Sequence, residues 1–348
     1  MRTMILALLS ASIVSCMVGE KKSKEVNVAK LKAANGKVFG FYNVENLFDT
    51  IDDQYTIDEQ FLPTSEKQWT GARYYTKLDK LAKVISSLDV DLPVFLGMAE
   101  IENKQVIQDL INTEKLKKGN YEIVHEDSPD KRGIDLGFIY RKEYFNYISH
   151  ETIEVSIADE EDFFTRDILY IQGELKGNDN VHVFLNHWSS RREGAEQTEY
   201  RRVRAASLVR EKVDEILSKD EMAKIFIMGD FNDYPTNNSI YQTLRAKDDR
   251  KFSNGNLYNM AYGLEKDNQG TYNYKGDWGM LDQLIISRGV FKADKGVKVT
   301  AKDVNVLKLK WMLYTDPKYG DEKPNKTYGG PNYYGGYSDH LPIYARFE

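Results

Sequence analysis

The chain has 348 residues, 41% of them hydrophobic and 29% charged, enough apolar material to bury a substantial core as one large domain or two. Its net charge of -6 argues against a protein that coats nucleic acid through a basic surface. A nuclease stays open, because a bound metal supplies positive charge locally.

Residues 1–16 read as an export signal: Arg2 opens it, Met4 to Val14 form an apolar core too short for a permanent membrane span, and Ile13-Val14-Ser15-Cys16 closes it. Those last four residues resemble a bacterial lipobox. Cys16 is also the only cysteine, which excludes disulfides and favours a lipidated N-terminus over a buried structural thiol. The expectation is an exported chain, lipid-anchored in the bacterial cell envelope at the periplasmic or cell-surface side. The Lys-rich stretch 17–36 is its tether. Residues 37–348 form a single domain, since the polar motifs run from Asn43 to His340 and no shorter piece holds them all.

In chain order, the patterns predict a strand at Lys37 to Asn43, a helix at Tyr74 to Leu88, a strand at Pro93 to Glu100 and a helix at Asn103 to Leu116. Successive strands follow at Tyr121 to Glu126, Asp135 to Arg141, Glu151 to Ile157 and Ile168 to Lys176, which implies antiparallel pairing. The run Asn180 to Trp188 alternates, with Val181, Val183, Leu185 and His187 on one face and His182, Phe184, Asn186 and Trp188 on the other. A long helix at Ala195 to Ser218 turns Val203, Val209, Val213 and Ile216 toward a core. A strand at Lys224 to Gly229, a short helix near Ile240 to Leu244 and strands at Met280 to Ser287 and Leu341 to Phe347 complete the order. There is no internal repeat. Fold class is α/β: two packed mixed β-sheets flanked by helices, a four-layer sandwich.

Two loops exceed the usual length, Asp49 to Arg73 and Thr315 to Tyr337. The second carries Tyr319, Tyr328, Tyr333, Tyr334 and Tyr337 and runs straight into Ser338-Asp339-His340. It reads either as a substrate lid or as a surface loop pinned by its tyrosines.

Polar residues stand at the ends of apolar runs: Asn43 after Phe39 to Phe41, Glu100 after Val94 to Met98, and Asp230 and Asn232 after Ile225 to Met228. Carboxylates, carboxamides and histidines gathered on one sheet rim hold a hard divalent cation by oxygen and activate water beside it. Taken singly, Asp230 and Asn232 also fit an Asx turn, Asn103 a helix cap, and His187 a satisfied core histidine.

The ordered motifs, from Phe41-Tyr42-Asn43-Val44-Glu45-Asn46 to Ser338-Asp339-His340-Leu341-Pro342, resemble those of the endonuclease/exonuclease/phosphatase superfamily. That superfamily includes pancreatic-type deoxyribonucleases, abasic-site endonucleases, bacterial sphingomyelinases and inositol polyphosphate phosphatases. The resemblance covers nearly the whole mature chain. It implies that Glu100, Asn43 and Asp339 hold Mg²⁺ or Mn²⁺, and that His340, oriented by Asp282, is the general base. It further implies that Asp230 positions the water and that Asn232 with His187 stabilises the phosphorus. Asn186 is an alternative phosphate contact, Asp135 an acidic partner for His187, and Arg191 and Arg192 grips for a second phosphate. Arg201, Arg202 and Arg204 read as a solvated helix face, the role of Arg166 is open, and His125, His150 and His182 attract no function.

The implied activity is phosphoester hydrolysis by in-line attack of water. A nuclease outside the cytoplasm leads, ahead of a phospholipid or sphingomyelin-type phosphodiesterase, a small-molecule phosphatase and, last, a non-catalytic binding lipoprotein. No protein partner is implied, and a monomer is expected.

Overall fold

The computed structural model describes residues 36–347 apart from 176, 178, 318 and 319. The export signal, Cys16, residues 17–35 of the tether, Lys176 and Tyr319 lie outside the described residues.

Strands β1 (Lys37–Leu47), β2 (Phe95–Ile101), β3 (Tyr121–Glu126) and β4 (Asp135–Arg141) join β12 (Val304–Val306) and β13 (Ile343–Phe347) in a six-stranded sheet, ordered β12-β13-β1-β2-β4-β3. The second sheet has seven strands: β5 (Phe145–Ile153), β6 (Ile168–Leu175), β7 (Asp179–His187), β8 (Lys224–Asp230), β11 (Asp282–Ile286), β10 (Leu257–Asn259) and β9 (Ala246–Lys247), in that spatial order. Both sheets are mixed: β1 runs parallel to β2 and β7 parallel to β8, while β13 pairs antiparallel with β1 and β11 with β8.

The sheets pack face to face through aromatic side chains. Phe39 and Phe95 from the first sheet both meet Phe226 of the second edge-on, with ring centroids 5.1 and 5.9 Å apart. Gly97 makes the close approach possible, because a Cβ there would sit 2.5 Å from Leu185 and 3.3 Å from the sulfur of Met228. Helices α1 (Gly71–Ile85) and α2 (Lys104–Ile111) cover the first sheet, and α3 (Glu199–Lys219) covers the second through Ala205, Val209 and Val213. The outcome is the expected four-layer α/β sandwich.

The alternation along β7 is borne out, with Val181, Val183 and Leu185 in the inter-sheet core and Phe184 and Trp188 beneath α3. Asn103 caps α2, its side chain accepting the Val106 N–H at 3.0 Å. Elsewhere the boundaries move. The strand expected at Glu151 to Ile157 is β5, which begins at Phe145 because that ring packs on Phe95 and Phe138 inside the sandwich. The long helix starts at Glu199, and Arg202, expected in solvent, is 1% exposed, with Nε 2.8 Å from Asp233 and Nη1 donating to Thr198. Val203 is accordingly only half-buried. Nine paired segments of two or three residues among the described residues of the second half of the chain are too brief to show any alternation.

Candidate active site

The second sheet supplies a straight row. On β7, β8 and β11 the inner faces carry Val183 and Leu185, Phe226 and Met228, and Leu284 and Ile286 into the core. The same faces end in His187, Asp230 and Asp282. Register places Asp230 opposite both His187 and Asp282, so the three stand side by side at the rim.

The first sheet delivers its groups by irregular backbone. Pairing of β1 with β2 slips between Asn43 and Leu47, and pairing of β2 with β4 slips between Ala99 and Ile101. At those slips Glu45, Asn46 and Glu100 take φ of 55°, 49° and 64°, a left-handed geometry that non-glycine residues hold at a cost of about 1 to 3 kcal/mol each. The turn directs Glu100 into the cleft, where its carboxylate accepts the Asn46 N–H at 2.8 Å and the Asn43 amide at 3.3 Å.

Asn43, wholly buried, donates the same amide to Asp230 Oδ2 at 3.1 Å, while its own oxygen accepts the Glu45 N–H at 3.0 Å. It therefore ties the two carboxylates together, and its oxygen keeps a second lone pair beside the one given to the Glu45 N–H.

The C-terminal motif closes the site. Ser338 donates to the Asn43 carbonyl at 2.7 Å and accepts the His340 N–H at 3.0 Å. His340 Nδ1 lies 2.7 Å from Asp282 Oδ2, and its Nε2 is 3.7 Å from Asp230 Oδ2. His187 Nε2 stands 3.7 Å from that same oxygen. One carboxylate oxygen thus sits between two imidazoles. The Tyr272 ring packs on His340 with centroids 4.9 Å apart. A cleft of about 1570 Å³ opens over this row, lined among others by Glu100, His187, Asp230, Asn232, Tyr272, Asp339 and His340.

The two histidines are driven apart electrostatically. Burial, the cations of Arg166 and Arg132, and His340 hold His187 well below the ordinary imidazole range. Burial also opposes charge on His340, but Asp282, Asp230 and Asp339 overcome it and hold the ring protonated. Burial pushes the Asp230 carboxyl up to about 6, with Asp282 adding to the shift and His340 opposing it. Burial, Glu45 and Glu100 push Asp339 to about 7.

The donor set suits a hard cation. Asp339 makes no hydrogen bond among the described residues, and burial together with Glu45 and Glu100 disfavours its charge, so a divalent ion between Glu100 and Asp339 would relieve the strain. Ligand atoms of Asp230, Asp282 and His340 also lie within 4.8 Å of one another. There, however, Asp282 and His340 are already committed to each other, so Glu100 and Asp339 are the better ligands, with Asp230 beside them.

Other expected residues lie elsewhere. Asn186 is wholly buried on the far face of β7, donating to Met228 O at 3.2 Å and accepting from Trp188 Nε1 at 3.0 Å, and it faces no substrate. Asp135 accepts the Ser128 N–H at 2.9 Å and does not reach His187, whose Nδ1 has no hydrogen-bond partner among the described residues. Arg191 lines the cleft but is spent on Asn232 O at 2.6 Å and Asp233 at 2.7 Å. Arg192 lines it with its guanidinium unpaired among the described residues. Asn232 does not continue the strand: with φ 50° it turns back, its N–H donating to Asp230 at 3.0 Å and its amide to Trp188 O at 3.0 Å. An Asx turn and a site residue are here the same thing.

The tyrosine loop is fastened down. The buried Lys77 ammonium donates to Thr327 at 2.6 Å and Tyr337 O at 2.7 Å, and lies 3.6 Å from Glu45, which accepts the Thr327 N–H at 2.6 Å. Tyr328 packs on Trp69 and Tyr337 on Trp311. No described tyrosine of this loop lines the cleft. The roles of Lys77, Glu45, Tyr272 and Asp130 escaped the sequence reading, and that of Arg166 was open there. Of these, only a lysine on the apolar side of a helical pattern carried a signal.

Carboxylates for a cation, a histidine locked by an aspartate and a second imidazole on the rim of a four-layer sandwich define a hydrolase of phosphoesters. The sequence profile of the endonuclease/exonuclease/phosphatase family matches residues 38–348, and the chain belongs to that family. Family members are metal-dependent, and the acidic groups gathered here are able to hold an ion. No curated protein matches the sequence. Among solved structures the chain is similar to a humanized D. rerio TDP2 (15% identity, TM-score 0.55, 90% of this chain and 98% of that one). It is also similar to a mannosyl-6-phosphatase from Bacteroides thetaiotaomicron (16%, 0.53, 90% and 99%) and to the human Nocturnin catalytic domain with bound sulfate (15%, 0.51, 90% and 94%). At these identities the likeness is one of fold.

Proposed function

We propose that this chain is a Mg²⁺- or Mn²⁺-dependent phosphodiesterase that acts as a nuclease outside the cytoplasm. The observation that carries the reading is the row His187, Asp230, Asp282 and His340 facing Glu100 and Asp339 across one cleft. A divalent cation held by Glu100 and Asp339, when bound, supplies charge neutralisation for the phosphoryl oxygens.

The protein's own groups do the rest. Asp282 fixes the His340 ring with Nδ1 as donor, leaving Nε2 to exchange a proton over the cleft. The protonated resting ring attracts a phosphate, and once it has passed that proton to solvent in the open cleft it accepts one from water that Asp230 orients. The new bond joins water oxygen to phosphorus, the ester P–O bond breaks opposite to it, and the alkoxide leaves with a proton from solvent. His187, kept neutral, hydrogen-bonds the phosphoryl group, with Asn232 beside it.

Export through residues 1–16 with a lipid on Cys16 places this chemistry at the cell envelope, which suits scavenging of nucleic acid. No helix among the described residues is long and apolar enough to cross a membrane. A monoesterase is the second reading, because one structural neighbour is a mannosyl-6-phosphatase.

Hydrolysis of bis-p-nitrophenyl phosphate against p-nitrophenyl phosphate, with Mg²⁺, Mn²⁺ or EDTA, separates the two. Cation-dependent diester cleavage supports the proposal, monoester preference moves it to a phosphatase, and indifference to EDTA refutes the metal role.

A further inference from the structure

Three of the six cations lining the cleft are spent, Arg166, Arg191 and Arg201, while Lys131 and Arg192 are exposed with no side-chain hydrogen bond among the described residues. Arg191 holds Asp233, and Arg201 pairs with Glu160 and Glu193 at 2.9 and 3.2 Å. Arg132 differs. Its side chain is 42% exposed, only its Nε approaches a partner, Asp130 Oδ1 at 3.5 Å, and its two Nη groups make no hydrogen bond or ion pair among the described residues. The turn that carries it is nonetheless rigid. Asp130 Oδ1 accepts the Arg132 N–H at 2.9 Å, and Gly133, at φ 63°, donates its N–H to Asp130 O at 2.9 Å.

The other oxygen of Asp130 accepts from Arg166 Nη1 at 2.9 Å, and this buried guanidinium also donates to the carbonyls of His187 at 3.2 Å and Trp188 at 2.8 Å. One ion pair therefore indexes the Arg132 turn to the end of β7, where His187 enters the site. A guanidinium with an open fork, held beside a catalytic imidazole, has the chemistry of a phosphate receptor.

We propose that Arg132 forms a second anion subsite, taking the phosphate that neighbours the scissile ester in an oligonucleotide, with Arg166 and Asp130 as positioning residues. The inference rests on the phosphodiesterase reading and gives it a direction: the enzyme selects diesters that continue into a phosphorylated chain. Small esters without a neighbouring phosphate leave this subsite empty.

The test compares three dinucleotides, thymidylyl-thymidine with no terminal phosphate, with a 5′ phosphate and with a 3′ phosphate, on the full folded protein and on Arg132→Gln and Arg132→Lys. One of the two phosphorylated forms is expected to exceed the bare one in kcat/KM by about ten-fold or more, the scale of a charge-assisted contact. Arg132→Gln is expected to erase that ratio, Arg132→Lys to keep part of it, and added salt to shrink it in the wild type. A wild-type ratio near one for both isomers, or a ratio that survives Arg132→Gln, overturns the subsite. Calorimetry with thymidine 3′,5′-bisphosphate against thymidine 5′-monophosphate asks the same question without turnover. A preference for the bisphosphate that vanishes in Arg132→Gln is the expected result, and no preference is the contrary one. Failure of wild-type protein on bis-p-nitrophenyl phosphate, by contrast, strikes the phosphodiesterase reading itself.

Discussion

The two sheets build their halves of the site in opposite ways. The second sheet uses regular strands, whose period-two alternation carries His187, Asp230 and Asp282 from the core face directly onto the rim. The first sheet breaks its own ladder: register slips and left-handed residues swing Glu45 and Glu100 out of the strand pattern. His187, Asp230 and Asp282 thus sit on a stiff frame, which holds His340 through Asp282, while Glu100 sits on backbone held in an unfavourable geometry by its neighbours. Strain of that kind persists only where the surroundings over-determine it, and here Asn43, Lys77 and the fastened loop do so.

The largest expected effect falls at His340, which the C-terminal motif brings against Asp282 of the regular half. His340→Ala removes the proton carrier and leaves Asp282 unpaired, so kcat on a diester should fall by about a thousand-fold, within the range of general acid–base groups, with a far-ultraviolet spectrum unchanged. A loss below ten-fold would mean that the straight row is not the proton path.

Next comes the anchor of the irregular half. Lys77→Met strips a buried ammonium from Glu45, Thr327 and Tyr337, and breaking such a pair should cost about 3 to 5 kcal/mol in urea unfolding. The double variant with Glu45→Gln should recover part of that loss. Equal stability of Lys77→Met and wild type would show that the loop is held by its tyrosines alone.

Glu100→Gln should weaken Mn²⁺ binding by calorimetry about ten-fold or more, from loss of a unit charge at the ion. Excess cation should restore part of the rate. Unchanged affinity would transfer the ion to the row of Asp230, Asp282 and His340.

The smallest effect is at Asp135, outside the cleft. Its carboxyl is pushed by burial from 3.8 to about 7, so the folded state binds a proton more tightly than the unfolded chain. Its stabilising contribution is complete below about 3.8 and is lost as pH rises toward about 7. Asp135→Asn should flatten that decline in urea midpoints and leave diester hydrolysis within about two-fold of wild type. A large loss of activity would return Asp135 to the site.

The same contrast explains what the sequence made legible. Alternation in Val181, Val183, Leu185 and His187, and apolar runs ending in Asp230 and Asp282, convey both the strand and the direction of its last side chain. A residue such as Asn186 is adjacent in sequence but points to the opposite face, which that alternation already indicates. Glu100 was found through its motif, because no periodicity predicts a left-handed residue. Asn43 was found too, but which of its amide atoms meets the carboxylates is a matter of hydrogen bonds to the Glu45 N–H. Arg132 was missed beside Gly133-Ile134-Asp135, where the acid drew attention and the exposed guanidinium did not. Contacts between distant segments, such as Arg166 with His187, leave no mark on either segment alone, and Lys77 on the apolar side of its helix signals a buried cation without naming its partner Thr327.

If the two halves act as one site, removing either should disable the whole. Hydrolysis of bis-p-nitrophenyl phosphate by Glu100→Gln, His340→Ala and the double variant, all at saturating Mn²⁺, tests this. The account predicts that the double variant is no slower than the slower single one, because residues that act as a unit are not additive. Losses that multiply in the double variant would contradict it, showing that the two rims contribute independently.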